Sequence, residues 1–290
     1  MASSNNVTVR RVTGNLGAII DGVDLRKPLD GASYEAVRAA LLDHGVVFFE
    51  NQDLTTPQYW SFLEQFGTPK REESFGSVTD TAADLMESDF QGARYATNTW
   101  HADTTALPEP PIATALRAIE VPDFGGDTCW SSMYAAWDAL SEPMKEMLDG
   151  LTAIHSIEYT ISRNGGPDGW YGSNFTKLYP TEQVHPVVLT HPETGRKALY
   201  VSETFVTRIC ELDRLESQAV LTFLARHVER PDFVARWKWK PNDIALWDNR
   251  STLHYAVPDY SSTRKMQRVV LAGVRPGEKS AFAPRQTVAA

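Results

Sequence analysis

Apolar and polar positions alternate through residues 7–25, VTVRRVTGNLGAIIDGVDL, broken by Gly14, Gly17 and Gly22. Period two punctuated by glycine predicts short strands joined by turns. In DGASYEAVRAALLDHG the period changes: Tyr34, Val37, Ala40, Leu41 and Leu42 recur at helical spacing until Gly45 stops them. The unbroken run VVFFEN, residues 46–51, reads as a strand buried on both faces. TPQYWSFLEQFG predicts a second helix with Thr56 as N-cap, Pro57 in the first helical position and Gly67 just past the end.

Residues 70–99 are polar and irregular, longer than most connections inside a compact domain. They read as a lid or binding loop, with a surface excursion as the open alternative. IATALRAIEV (112–121) returns to a strand pattern, GGDT (125–128) to a turn, and MYAAWDALSEPMKEMLDGL to short helical turns. Residues 159–183, rich in glycine, asparagine and aromatics, predict a second loop over a site. HPVVLTH, KALYVS, FVARWKWK, DIALWDN and RKMQRVVLAGV follow as short strands, with the helix LESQAVLTFLARHVE between the second and third. Many short strands with few helices predict a mainly β chain with flanking helices (α+β), an antiparallel sandwich or jelly roll, on one domain spanning 1–290.

Composition narrows the function. With 28 Lys and Arg against 37 Asp and Glu, the net charge is -9, unlike proteins that gather cations on a nucleic-acid backbone. Cys129 and Cys210 stand far apart and outside any CxxC pattern, which predicts neither a disulfide framework nor a structural zinc site. The start, MASSNNVTVRR, lacks an apolar leader, and no run approaches the roughly 18–20 apolar residues that span a bilayer. The expectation is a cytoplasmic protein acting on a small molecule, with no membrane or nucleic-acid partner; a homo-oligomer follows from base rates alone.

The candidate chemistry lies in NTWHADTT, which sets His101 and Asp103 two apart, and in DIALWDNRSTLHYAVPDY, which puts His254 shortly beyond a strand end. In an extended segment, residues two apart point to one face, so His101 and Asp103 suit two ligands of a site that His254 completes. Two histidines and one carboxylate on one face of iron leave coordination positions open, as non-heme Fe(II) oxygenases require. Arg264 and Arg268 share a strand face with residue 266, and a guanidinium fork grips carboxylate, sulfonate or phosphate. From these residues alone, a satisfied surface His–Asp pair, a packed His254 and two solvated arginines stay open.

WHADTT, GGDT, WDNRSTLHYAVPDY and TRKMQR, in this order and spacing, resemble the Fe(II)/2-oxoglutarate-dependent taurine dioxygenase family. The resemblance extends from about Val12 to Pro276 and includes LGAIIDGVDL and GVVFFENQDLT. It implies a double-stranded β-helix (jelly roll) with His101, Asp103 and His254 as iron ligands. It also implies that Thr128 and Arg264 bind the distal carboxylate of 2-oxoglutarate and that Arg268 meets the anionic head of the substrate. By the same resemblance Phe205 is expected beside the substrate, and Asn98 and Thr104 are candidates to touch it. Glu72 and Phe75, in FGTPKREESFG, stand where taurine-using members carry a histidine and a tyrosine. The implied reaction consumes O2 and 2-oxoglutarate, releases succinate and CO2, and hydroxylates a small, anionic sulfonate, sulfate ester, aryloxy or other carboxylate, or an amino-acid-like molecule. Asp103 fills the ligand position that related halogenases leave to chloride, so hydroxylation is expected. The rival readings are a cupin-type isomerase or hydrolase, which needs no arginine clamp, and a non-catalytic binding barrel.

Overall fold

The computed structural model describes residues 7–70, 98–163 and 182–283. Glu72, Phe75 and most of the two expected loops lie outside the described residues. The chain opens with β1 (Thr8–Arg11), β2 (Ala18–Asp21), α1 (Gly31–His44), β3 (Val46–Phe49), α2 (Thr56–Glu64) and β4 (Pro69–Lys70). It continues through β5 (Ala113–Glu120), β6 (Thr128–Ser132), α3 (Met133–Asp138), α4 (Glu142–Leu148), β7 (Thr152–Ser156) and α5 (Ile157–Arg163). After β8 (Glu182–Pro186), β9 (Val188–Thr190), β10 (Lys197–Leu199) and β11 (Val206–Ile209) come α6 (Arg214–Val228), β12 (Val234–Trp237), β13 (Ile244–Asp248), β14 (Thr252–Ala256) and β15 (Lys265–Leu271).

One seven-stranded sheet runs in the order β1-β2-β3-β13-β5-β15-β4; beside it stand the sheets β12-β6-β14, β11-β7-β8 and β10-β9. Side-chain alternation shows how they stack. Val46, Phe48, Ala118, Ala245, Trp247 and Met266 pack with Trp130, Ala235 and Trp237 between the large sheet and β12-β6-β14. Their neighbours Val47, Phe49, Ala113, Ala115, Ile244, Leu246, Val269 and Leu271 face the other way, onto α1 and α2. The central strands therefore have no solvent side, which explains why VVFF and IALW are apolar without interruption. Phe48 anchors the sandwich, stacked 4.1 Å from Trp237 and edge-on to Trp130 at 5.3 Å. The mainly β expectation with flanking helices holds, and the architecture is a jelly roll.

Local expectations need four corrections. The N-cap of α2 is Thr55, whose hydroxyl and the Gln58 side chain close a capping box that starts the helix one residue before the expected position. His254 lies shortly beyond the end of β13, as expected, but inside a further strand, β14, that was not expected and that forms because STLHYA pairs with β6. Asp103 lies in a turn that follows His101, and Thr104 takes φ +44°, so the segment is not continuously extended. Residues 159–163, expected at the start of a loop, belong to α5.

β13 ends on Asp248, fully buried among charges. Its carboxylate accepts from His191 Nε2 at 3.0 Å and from Arg250 Nε and NH2 at 2.9 and 2.7 Å. Arg250 also reaches Glu193 at 2.9 Å, and Glu193 pairs with Arg38 of α1. Burial alone would raise the Asp248 carboxyl, but Arg250 and His191 hold it well below the usual carboxylate range. A depressed folded value contributes stability that is complete above the unfolded value near ~3.9 and fades as pH falls toward the folded one. Asp248→Asn, which leaves Arg250 buried without its main partner, is expected to lose about 3–5 kcal/mol at neutral pH. In urea melts, the gap to wild type should narrow once pH drops below about 4.

Candidate active site

The site begins with backbone pairing. His101 N–H donates to His254 O at 3.1 Å and His254 N–H donates to His101 O at 2.7 Å, an antiparallel bridge that lays the two imidazoles side by side with centroids 4.1 Å apart. The His101 Nδ1 lies 2.7 Å from the Thr99 carbonyl. A carbonyl only accepts, so Nδ1 carries a proton, and Nε2 is the nitrogen turned away from the backbone contact. His254 packs against the Trp247 ring at 4.9 Å, with Nε2 3.5 Å from Asp103 Oδ1. Burial, with the nearby His101, holds His254 well below the ordinary histidine range. It is therefore a neutral imidazole, the form that ligates metals.

One ligand atom from each of His101, Asp103 and His254 lies within 4.8 Å of the others, and all three residues are buried. Burial pushes the Asp103 carboxyl upward, while His101 and hydrogen bonds from Thr114 and Asn249 favour its ionised form. Asp103 Oδ2 accepts the Thr114 hydroxyl at 2.5 Å; Oδ1 receives Arg268 NH2 at 2.6 Å. Two imidazole nitrogens and a carboxylate oxygen make a donor set suited to Fe(II).

A second cluster adjoins it through β14 and β6, where Ala256 pairs with Thr128. Gly125 and Gly126 turn the chain at φ +74° and +70°; a Cβ on Gly125 would stand 2.4 Å from Asp259 O, so only glycine fits. The turn aims Gly126 O at Arg264 Nε, 2.9 Å away, and Thr128 Oγ1 accepts from Trp239 Nε1 at 3.0 Å and Arg264 NH2 at 3.4 Å. With both acceptor positions used, the Thr128 hydroxyl proton points to a further partner. Burial lowers Arg264 and Arg268 to about 10 each, which leaves both cationic at neutral pH. Arg264 directly precedes β15 and Arg268 lies within it; the extra residue where β15 meets β5 is Ile119 of β5, so alternation along β15 is preserved.

His101, Asp103, His254 and Arg268 thus come together, and Thr128 joins Arg264. Phe205 is buried with Ala106, Ile157 and Ile161 in an apolar cluster. Thr104 is buried with a hydroxyl that has no partner among the described residues, and Asn98 is half-buried beside Thr99. Sequence reasoning missed Thr114, Asn249, Trp239 and Trp247, whose polar atoms orient the named residues. It also missed His155, whose Nδ1 lies 2.8 Å from Thr105 Oγ1 beside the Asp103 turn. Nothing in spacing marks these positions, since strands far apart in sequence bring them in.

A jelly roll with a His–Asp–His group that could hold a metal ion, beside two buried arginines, is the arrangement of a metal-dependent β-fold enzyme. The sequence model of the Taurine catabolism dioxygenase TauD, TfdA family matches residues 8–270, and the chain belongs to this family. A Pseudomonas putida alpha-ketoglutarate-dependent sulfate ester dioxygenase is 39% identical over 277 residues, covering 92% of this chain and 90% of that protein. An Acinetobacter baylyi alkylsulfatase is 36% identical over 280 residues, covering 93% and 86%. The crystal structure of a taurine dioxygenase from Burkholderia xenovorans superposes with a TM-score of 0.78 at 34% identity, over 97% of this chain and 96% of that one. Family membership makes the chain an alpha-ketoglutarate-dependent oxidoreductase whose reaction uses Fe(II), 2-oxoglutarate and O2. Among the described residues no helix is long and apolar enough to cross a membrane.

A ligand that binds only the folded state stabilises it by about 2.7 kcal/mol at a hundred times its Kd. Mn(II), added to metal-stripped protein, should therefore raise the thermal midpoint, and His101→Ala should abolish the rise. An unchanged midpoint for the intact protein would count against a metal centre here.

Proposed function

We propose that His101, Asp103 and His254 hold Fe(II), that Thr128 and Arg264 clamp the distal carboxylate of 2-oxoglutarate, and that Arg268 receives the anionic head of the primary substrate. The observation that carries this reading is the burial of two cationic guanidinium groups beside the His–Asp–His group, one on Thr128 and one on Asp103. Neither a cupin-type isomerase nor a binding barrel calls for that pair of anion sites. The roles of Asn98, Thr104, Phe205, Glu72 and Phe75 at the substrate belong to the same proposal, as does one domain across the chain, which a family match over residues 8–270 supports.

Arg264 and Thr128 act by orientation. The bidentate fork and one hydroxyl proton define where a terminal carboxylate lies, and the dry surroundings strengthen each contact. Arg268 lies one hydrogen bond from Asp103, so an anion seated on it lies beside the metal. Bound Fe(II), with 2-oxoglutarate and O2, supplies the oxidising power for hydroxylation, and succinate and CO2 leave as co-products. Phe205 with Ile157, Ile161 and Ala106 offers apolar walls that exclude water and suit a compact hydrocarbon body.

A sulfate monoester is the preferred substrate, supported by the printed names of the relatives at 39% and 36% identity. Hydroxylation of the carbon bearing the ester oxygen gives an unstable product that collapses to an aldehyde and releases sulfate with a proton. Sulfonates and aryloxy acids are the neighbouring classes.

Anaerobic addition of Fe(II) and 2-oxoglutarate should produce a weak visible charge-transfer band that His101→Ala lacks. Arg264→Ala should raise the 2-oxoglutarate requirement by about 10- to 100-fold, the scale of a lost charged hydrogen bond of about 1.5–3 kcal/mol. Arg268→Ala should mainly raise the KM of the primary substrate; equal effects of both changes on both ligands would refute the division of labour. Succinate release across alkyl sulfates, sulfonates, aryloxyacetates and amino acids should be greatest with an alkyl sulfate.

A further inference from the structure

Asp103 is reached from behind by three side chains in series. Trp247 Nε1 donates to Asn249 Oδ1 at 3.0 Å, Asn249 Nδ2 donates to Thr114 Oγ1 at 2.9 Å, and Thr114 Oγ1 donates to Asp103 Oδ2 at 2.5 Å. Each member is almost wholly buried, with Thr114 at 0%, Trp247 at 1% and Asn249 at 3% exposure. The direction of the series is fixed by chemistry. An indole only donates, so the atom of Asn249 that it meets is the amide oxygen, which sets the orientation of that amide. The Asn249 NH2 therefore faces Thr114, whose oxygen accepts it, and the single Thr114 proton goes to Asp103 Oδ2. Asn249 Oδ1 also lies 3.5 Å from the Asp103 backbone N–H, which ties the same amide to the turn.

The two oxygens of Asp103 consequently differ. Oδ2 is engaged by Thr114 from within the large sheet, while Oδ1 is turned into the site, 3.5 Å from His254 Nε2 and paired with Arg268 NH2 at 2.6 Å. We propose that Thr114, Asn249 and Trp247 are positioning residues that commit Asp103 to bind metal through Oδ1 alone, so that its second oxygen does not occupy a position needed by the co-substrate or by O2. The proposal rests on the metal site proposed above. Thr114 lies on β5 and Asn249 and Trp247 at the end of β13, and these strands pair with Trp247 opposite Thr114. Two of the three members are therefore set by sheet register, and Asn249 sits in the turn directly after β13, a placement that suits a rigid orienting function.

Outer partners of ligands commonly alter metal affinity or activity by about 10- to 100-fold when removed. Thr114→Val keeps the volume and deletes the donor, Thr114→Cys keeps a weak donor, and Thr114→Ser keeps the hydroxyl. Co(II) titrated into the metal-stripped proteins should bind about 10-fold or more weakly to the Val variant than to wild type, with Cys between and Ser within threefold of wild type. The visible Co(II) spectrum should change in Val and Cys and stay as wild type in Ser. Circular dichroism and melting curves identify any variant that does not fold, and Cys carries the comparison if Val does not. Wild-type affinity and spectrum in folded Val or Cys protein would overturn the relay while leaving the metal site intact. Failure of wild type itself to bind Co(II) would overturn the site reading instead.

Discussion

The pair of backbone hydrogen bonds between His101 and His254 is the constraint on which the catalytic geometry depends. It couples a segment leading into a turn to a strand deep in the smaller face of the sandwich, and so places two imidazoles that are 153 positions apart in the chain. The same strand, β14, runs along β6 in a register that puts His254 opposite Trp130 and Ala256 opposite Thr128. One ladder thereby sets the distance between the proposed metal ligands and the co-substrate clamp. Loss of that register would scatter both, whatever the side chains were.

Polar groups within this sandwich keep their orientation through donors that have no alternative role. Trp239 and Trp247 each deliver an indole proton, to Thr128 and to Asn249, while their rings help fill the interlayer core. A large apolar surface and one fixed donor in a single residue permit a polar site inside a dry sheet sandwich without leaving amides and hydroxyls to rotate. The buried Asp248 cluster does related work at the edge, holding the end of β13 just before Asn249.

Much of this was legible from residue order. α1, β3, β13 and α6 follow from periodicity and from runs such as VVFF, because hydrophobic burial on one or both faces leaves that signature. His101, Asp103, His254, Thr128, Arg264 and Arg268 were marked by their motifs. What escaped were strands whose pairing decides them, β6 and β14 above all: STLHYA has no strict alternation and became a strand because β6 lies beside it. The supporting Thr114, Asn249 and Trp239 escaped for a related reason. A threonine in ATALRAIE looks like any strand threonine until the fold brings a carboxylate to it. The cap of α2 shifted by a residue because Thr55 and Thr56 are chemically equal and the reach of Gln58 chooses between them.

The bulge at Ile119 has a further meaning for chemistry. By absorbing the irregularity, β5 keeps β15 regular from Lys265 onward; Arg264, just before it, and Arg268 are four residues apart, which at ~3.3 Å each in extended backbone is roughly 13 Å between Cα atoms. On the roles proposed for Arg264 and Arg268, this stretch acts as a ruler between two anion seats, one for each organic molecule in the reaction. On the same proposal, substrates are measured against a fixed length of backbone, so selectivity for molecular size is set by the sheet before any side chain of the pocket is chosen.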